Sequence, residues 1–414
     1  MKILIVSQYF WPESFQINDV AKALKKKYSK ISIDVLTGKP NYPDGVIFDG
    51  YSTFGKVREQ WEKIKIYRVP LVARGNKSTL RLIANYFSFL FFGVLFSPWL
   101  LRKKQYDVIF IYGVSPILQA LVAIFLAKIK RCPNVLWVQD LWPESLEATG
   151  YVKNKYITNI VTALVRWIYR HSDLILVQSH AFLAPVKLMA SETPVVYYPN
   201  TVDASFTKPP EIQTENIPAL EKGFSVLFAG NIGTVQAVEH IVEAAVLLKD
   251  YYDINFIVVG SGSRLAWMEN EVKKRKLENL HLPGRFPVDT MPSFMQKASV
   301  LLVSLTDKAI FSLTVPNKIQ AYMASGRPIL AFLNGEGARV VTEAKAGISI
   351  PAENTQALVD GILKLYKMTD FERSVLGENG KKYFEKNYES NFLLEQLIEH
   401  FEFSSIIHSN KKYK

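Results

Sequence analysis

Short apolar runs alternate with stretches of helical period along nearly the whole chain. In the first half the runs are KILIVSQYF, ISIDVLTG, IKIYRVPLV, YDVIFIYG, NVLWVQDL, DLILVQS and PVVYYPN, with helical patterns between most of them, as over residues 19–28 and 116–130. A passage rich in proline and acids, TVDASFTKPPEIQTENIPALEKG, interrupts the rhythm. It then restarts with FSVLFAGNIG, INFIVVGSGS, LHLPGRF, ASVLLVSL, RPILAFL and GISIP, separated by helices such as 237–249 and 265–276. Alternation of this kind is the signature of parallel βαβ units. Consecutive helices follow from about residue 356 to 403, and the polar tail SSIIHSNKKYK is expected to fray. A chain of 414 residues exceeds one hydrophobic core. The pattern predicts an α/β protein of two Rossmann-like, doubly wound domains facing each other across a cleft. They span residues 1–203 and 204–385, and residues 386–414 form a helix crossing back to the first domain, plus the tail.

One apolar stretch stands out by its length. Leu82 to Leu101 reads LIANYFSFLFFGVLFSPWLL, twenty residues without a charge, bounded by Arg81 and by Arg102-Lys103-Lys104. It is just long enough to cross a bilayer as a helix. Asn85, Ser88, Gly93, Ser97 and Pro98 weaken that reading, and cations at both ends set no orientation. Three readings stay open: an interfacial or partly inserted helix, a buried core helix and a true span. Phe and Trp side chains with cations at the headgroups favour the first.

Charge adds to this picture. Residues 1–200 carry 26 Lys and Arg against 13 Asp and Glu, so the whole net charge of +12 sits in the first half. A basic half needs an anionic partner, nucleic acid or anionic lipid. The aromatics cluster in one apolar run and are not interleaved with cations as stacking platforms would be, which points to an anionic membrane surface and away from nucleic acid. A lone cysteine, Cys132, excludes an internal disulfide and fits a reducing compartment. The four apolar residues Ile3 to Val6 suit a first buried strand, not a signal sequence. The expected location is cytoplasmic, peripherally against the inner face of the cell membrane.

Candidate chemistry lies at strand ends. Gly230-Asn231-Ile232-Gly233 and Gly260-Ser261-Gly262-Ser263 each follow a strand and lead into a helix, whose free N–H groups and positive dipole end can hold a phosphate. Tight-turn glycines are the alternative for either one alone. Cations near a diphosphate would be Arg264, which opens the helix after GSGS, Arg285 at a strand end, and Lys318 in the first turn of a helix that Pro316 starts. Asn317 stands beside Lys318. In the first half, the loop WPESFQIND offers Glu13, Ser14 and Gln16, and QDLWPES offers Asp140 and Glu144 beside Trp142. Such carboxylates orient hydroxyls or stabilise positive charge. Helix capping is the other reading, with Asp19 capping the first helix and Pro143-Glu144-Ser145 starting another. The six His residues have no metal-ligand spacing and no phosphate-loop lysine motif is present, so metal-dependent hydrolysis and ATP-driven chemistry are not expected.

At these residues the sequence resembles the family 4 glycosyltransferases, from about residue 1 to 400. LFAGNIG, VVGSGS, LPGRF and PNKIQAYMASGRPI match that family's donor domain in order and spacing. VLTGKPNYPDG, VQDLWPES and YYPNTVD resemble one subgroup, bacterial O-antigen and capsule enzymes that include transferases of N-acetyl-L-fucosamine and related N-acetylated sugars. The resemblance implies the GT-B fold and transfer with retention of configuration, from a UDP-sugar to an undecaprenyl-diphosphate-linked saccharide in surface polysaccharide synthesis. It implies no metal or other cofactor, which leaves phosphate charge to Arg285, Lys318 and helix N-termini. The implied donor set is Gly230, Asn231, Gly233, Gly260, Arg264, Arg285, Asn317 and Lys318, and the implied acceptor set is Glu13, Ser14 and Gln16. In a front-face displacement the leaving phosphate takes the acceptor's proton. Asp140, with Glu144, would then orient the acceptor or stabilise an oxocarbenium-like centre.

Two departures stand out. Many members of the family carry two glutamates eight positions apart, the second contacting the ribose; Leu313 and Ala321 occupy those positions here. Many also carry Arg and Lys after the first glycine turn, where this chain has Asn231 and Gln236. Asp307 and Glu336 are the nearby acids that could substitute. Two other classes remain: a UDP-N-acetylhexosamine epimerase of the same fold, which would need no acceptor, and an inactive scaffold or nucleic-acid-binding protein.

Overall fold

The computed structural model describes residues 1–75, 78–148, 154–202, 204–207 and 217–411. It divides into two units, residues 1–199 with 391–414, and residues 200–390. Part of the passage chosen above as the boundary, residues 203 and 208–216, lies outside the described residues.

The first unit opens with β1 (Lys2–Val6), α1 (Gln16–Lys27), β2 (Ser32–Thr37), β3 (Arg58–Trp61) and β4 (Ile64–Arg68). Then come α2 (Thr79–Leu100), β5 (Val108–Gly113), α3 (Gln119–Lys130), β6 (Asn134–Val138), α4 (Glu144–Ala148) and α5 (Lys155–Arg170). The series closes with β7 (Leu174–Val177), α6 (Leu183–Ala190) and β8 (Val195–Tyr197). The sheet order is β3-β4-β2-β1-β5-β6-β7-β8. Every described pairing is parallel except β3 with β4, an antiparallel edge. The short polar strand β3, REQW, gave no apolar run to find it by. The central strands β5 and β6 are buried at every position, and β1 at all but Lys2, because helices cover both faces.

The second unit contains α7 (Pro218–Glu221), β9 (Phe224–Asn231), α8 (Val238–Leu247), β10 (Ile254–Ser261), α9 (Leu265–Arg275) and β11 (Leu280–Gly284). It continues with α10 (Met291–Lys297), β12 (Val300–Ser304), α11 (Ala309–Ser312), α12 (Asn317–Ser325), β13 (Ile329–Phe332), α13 (Glu336–Glu343) and β14 (Gly347–Ile350). Three helices end the chain, α14 (Thr355–Lys367), α15 (Asp370–Asn387) and α16 (Ser390–Lys411). The sheet, β11-β10-β9-β12-β13-β14, is parallel throughout its described pairings. The two sheets make this a GT-B, two-domain Rossmann-like fold.

Two expectations need correction. The tail does not fray before Lys411: α16 runs through it, and His408 Nδ1 and Lys411 Nζ reach the Asp173 carboxylate at 3.1 and 3.2 Å. Asp19 does not cap α1, which begins earlier, at Gln16, and leaves Asp19 in its first turn.

In both sheets the order reverses between two strands, β1 and β5 in one and β9 and β12 in the other. Ligands of open parallel sheets bind at the carboxyl ends of the strands beside such a reversal. The loops after β1 and β9 therefore lie where a ligand of each sheet would bind.

The long apolar helix α2 buries one stripe, Leu82, Asn85, Phe89, Gly93, Ser97 and Leu100. Asn85 fixes it to the domain, taking a bond from Gln8 Nε2 at 2.7 Å and donating to the Val72 carbonyl at 2.6 Å. Gly93 lies against Val122 of α3, so close that a Cβ would meet Val122 at 2.8 Å. The opposite stripe, Leu80, Ile83, Phe87, Phe91, Leu95 and Trp99, is exposed.

Candidate functional site

The two glycine turns of the second unit lie side by side. Gly230 and Gly260 are register partners at the ends of β9 and β10, with φ of +133° and +150°. A Cβ on Gly260 would sit 1.8 Å from the Gly230 carbonyl oxygen, so the two backbones touch only because Gly260 has no side chain. The turns are then stitched together: Ile232 N–H donates to Ser261 O and Arg264 N–H to Ile232 O, both at 2.9 Å.

Lys318 is brought onto this turn by α12. Pro316 caps the helix and Gly326 ends it in the left-handed region at φ +68°. Tyr322, one turn beyond Lys318, anchors the helix to the sheet by accepting from Ala229 N–H at 3.2 Å and donating to Leu302 O at 3.3 Å. The Lys318 stem crosses the face of Gly230, where a Cβ would come within 2.7 Å of its Cε. Its ammonium lies 3.5 Å from the Phe228 ring centre and is shielded from solvent, without a hydrogen-bond partner among the described residues. Burial lowers its pKa to about 7. A cation so placed is a strong attractor for an anion that could enter and pair with it.

The other donor candidates divide. Asn231 and Gly233 hold each other through Gln236, whose Oε1 accepts from Gly233 N–H at 3.1 Å and from Asn231 Nδ2 at 3.3 Å. The amides standing where the family often has Arg and Lys thus brace the turn. Arg264 opens α9, pairs with Glu239 at 2.5 Å and covers the Trp267 ring, leaving its Nε shielded and unpartnered among the described residues. Arg285 is exposed, one residue past Gly284, the register partner of Val259. Asn317 is exposed and accepts from Asn200 Nδ2 at 2.7 Å. Ala321 is packed in the core of the unit. The two acids considered in its place are engaged: Asp307 accepts from Asn334 at 2.9 Å, and buried Glu336 holds Arg339 by two bonds of 2.8 Å.

In the first unit, Glu13 is buried and points inward. Its Oε1 accepts from Asn41 and Tyr42 N–H, both at 2.8 Å, and its Oε2 from Phe10 N–H at 3.3 Å. The carboxyl clamps the loop after β1 to the loop after β2, and burial pushes its pKa up to about 7 against those three donors. Ser14 is exposed beside it, and Gln16 begins α1. Asp140 follows β6 and accepts from Ser115 N–H, in the loop after β5, at 2.8 Å. Burial raises its pKa, with the Ser115 bond opposing. Trp142 fixes the same loop by donating to Ser115 Oγ at 2.9 Å. Glu144 starts α4, and its Oε2 is shielded and unpartnered among the described residues.

Sequence reasoning passed over five further residues. Tyr169, next to last in α5, has a buried hydroxyl that is unpartnered among the described residues, and its pKa is raised by burial first and by Glu144 second. Tyr9, Phe15 and Tyr42 form an aromatic cluster with centroids 5.1 to 5.7 Å apart, and Arg74 lies over Tyr42 at 5.4 Å. The apolar run SQYFW concealed Tyr9 as a strand residue, and nothing in the sequence pairs positions 42 and 74. No cluster of three or more His, Cys, Asp or Glu suited to a metal occurs among the described residues.

Comparisons with known proteins bear on this geometry. A family model described as glycosyl transferases group 1 matches residues 223–368, the glycine turns and α12 included. WbjE of Pseudomonas aeruginosa, named as a glycosyltransferase, is 28% identical over 328 residues, covering 75% of this chain and 80% of its own. WcaI of Escherichia coli K12, named as a glycosyl transferase of colanic acid biosynthesis, is 25% identical over 382 residues, covering 87% and 91%. Among solved structures, HepE of Anabaena in complex with UDP superposes with a TM-score of 0.66 at 13% identity over 97% of this chain and 100% of its own, a likeness of fold.

Proposed function

We propose that this glycosyltransferase moves an N-acetylated deoxy- or amino-sugar from a UDP-linked donor to a lipid-linked saccharide, at the cytoplasmic face of the membrane, in the synthesis of a surface polysaccharide. The observation that carries the donor half is Lys318, an ammonium shielded and unpaired among the described residues, beside two strand-end glycine turns. A diphosphate supplies the missing counter-charge, and the first N–H groups of α12 add to it. The UDP held by the HepE neighbour and the colanic acid role in WcaI's name support the donor and product classes.

In the reaction, the acceptor hydroxyl oxygen bonds to the anomeric carbon on the face from which UDP departs, so configuration is retained. The bond from that carbon to the β-phosphate oxygen breaks. The acceptor proton passes to a β-phosphate oxygen, so no separate base is needed. Lys318 stabilises the charge that grows on the leaving diphosphate, with Arg285 as an outer cation. Asp140, held by Ser115, orients the acceptor or balances positive charge at the anomeric carbon. The exposed apolar stripe of α2 gives a lipid-linked acceptor a membrane-bound enzyme.

Incubation with a panel of UDP-N-acetyl sugars, UDP-N-acetyl-L-fucosamine among them, with and without a diphosphate-lipid acceptor, tests this by UDP release. Release with one donor and only with acceptor is expected. Conversion of the donor sugar without acceptor would instead indicate an epimerase, and no turnover of any donor a scaffold.

A further inference from the structure

The helices on the two faces of the first sheet differ in charge. Successive parallel strands β5 to β8 run outward from β1 in one direction, while β2 and β4 lie on its other side. Right-handed crossovers therefore put α2, α3, α5 and α6 on one face and α1 on the other. Leu393, Leu394, Leu397 and Phe401 of α16 share the core with α1. On the α1 and α16 face, Asp19, Glu395, Glu399 and Glu402 are interspersed with lysines. None of α2, α3, α5 and α6 contains an aspartate or a glutamate, whereas Arg81, Lys128, Lys155, Arg166, Arg170 and Lys187 lie on them; the acids of this face, Glu144 and Glu147, are confined to the short α4 that precedes α5.

This acid-free layer is also where the exposed apolar side chains gather. Besides the α2 stripe, α5 turns outward Tyr156, Ile160 and Trp167, which are 80%, 68% and 40% exposed. Their spacing of four and seven residues aligns them along one side of the helix. Arg166 and Arg170 fall beside that stripe. Each helix carries a tryptophan near its carboxyl end attended by a cation: Arg102 lies 5.7 Å from the Trp99 ring, and Lys128 of α3 lies 5.8 Å from the Trp167 ring. Both helices return antiparallel to the strands, so the two tryptophans stand at the same end of the layer. Amphipathic rings at one level, cations around them and no acids are what an anionic bilayer surface requires.

We infer that the layer of α2, α3, α5 and α6 is a docking surface for an anionic lipid bilayer, in which α5 is a second insertion element beside α2. The inference rests on the membrane reading of α2 above and adds the apolar stripe of α5. A second copy of this chain is a poorer occupant, because a self-complementary contact would oppose like charges across α2, α3, α5 and α6, four helices without acids.

The test is flotation of the full-length protein with phosphatidylcholine vesicles with and without phosphatidylglycerol. Light scattering of the lipid-free protein is recorded in parallel. Tyr156→Ser/Ile160→Ser changes two exposed side chains and leaves the core intact, which an unchanged thermal melt verifies. It is expected to weaken binding to anionic vesicles about tenfold or more. Lys155→Gln/Arg166→Gln is expected to lower binding to anionic vesicles several-fold and to leave zwitterionic binding unchanged. Binding unaltered by both pairs, while Phe87→Ser/Phe91→Ser in α2 abolishes it, would overturn the role of α5 and keep that of α2. Binding unaltered by all three would overturn the membrane reading itself. Loss of a dimer in the α5 variants with vesicle binding intact would assign the stripe to a second copy instead.

Discussion

The Lys318 ammonium lies 3.5 Å from the centre of the Phe228 ring, with its stem laid over Gly230. Phe228 is a strand residue and Lys318 a helix residue ninety positions later. Their contact removes the cation from water without giving it a partner among the described residues, which is costly for a folded protein and useful to one that binds an anion.

Lys318→Ala should lower donor use by ten- to a hundredfold, the loss of a charged hydrogen bond of about 1.5–3 kcal/mol. The wild type carries a pH signature. The free lysine titrates at about 7 and a bound diphosphate raises it, so binding takes up a proton above that pH. Donor affinity should be flat below about pH 7 and weaken as pH rises above it, a slope that Lys318→Ala removes. Calorimetry with UDP in buffers of different ionisation heat reads the uptake directly.

Gly230→Ala and Gly260→Ala should fail differently. A methyl at 230 meets the flexible end of Lys318, 2.7 Å from Cε, and displaces it, so the protein folds but binds UDP poorly. A methyl at 260 meets the Gly230 carbonyl at 1.8 Å, where only backbone can give way. That variant should lose about 1–3 kcal/mol of stability or more. Urea melts paired with UDP titrations separate the two, and equal stability losses would count against the assigned roles.

Asp140→Asn keeps an oxygen that can accept from Ser115 N–H and removes the charge. kcat should fall about a hundredfold while donor KM changes little. A rise in KM with kcat unchanged would return Asp140 to a loop-bracing role.

Glu13→Gln turns an amide N–H2 towards one of three backbone N–H donors and should cost about 1–3 kcal/mol. In the wild type the folded carboxyl holds its proton up to about 7, above the ordinary 4.5. The folded state therefore binds more protons between those values, and this group's contribution to stability falls as pH rises through that window. The Gln variant lacks that slope. Urea midpoints across the window measure it.

Much of the fold was legible because parallel strands buried on both faces must be apolar runs, as VLLVS and FIVV are. What escaped was the edge strand REQW, which has one polar face and one partner, and the end of α16, whose polar residues are held by Asp173 and not by an apolar stripe. At the site, Gly230, Gly260 and Lys318 could be named in advance because strand-end glycines and a cation in the first turn of a helix are local signals. Tyr169 and the pairing of Tyr42 with Arg74 could not, since each depends on residues from different crossovers.

The sequence by itself determined two α/β units, the turn positions and the excess of positive charge in the first half. All of these follow from local composition and period, which fix secondary structure and which strands are buried. Only the tertiary structure decided that Lys318 is desolvated, that Asn231 and Gln236 brace a turn, that Glu13 faces inward, and that α2 hides one stripe and shows another. Burial and pairing depend on which elements are packed together, and in a doubly wound sheet neighbours in space are set by strand order, not by distance along the chain.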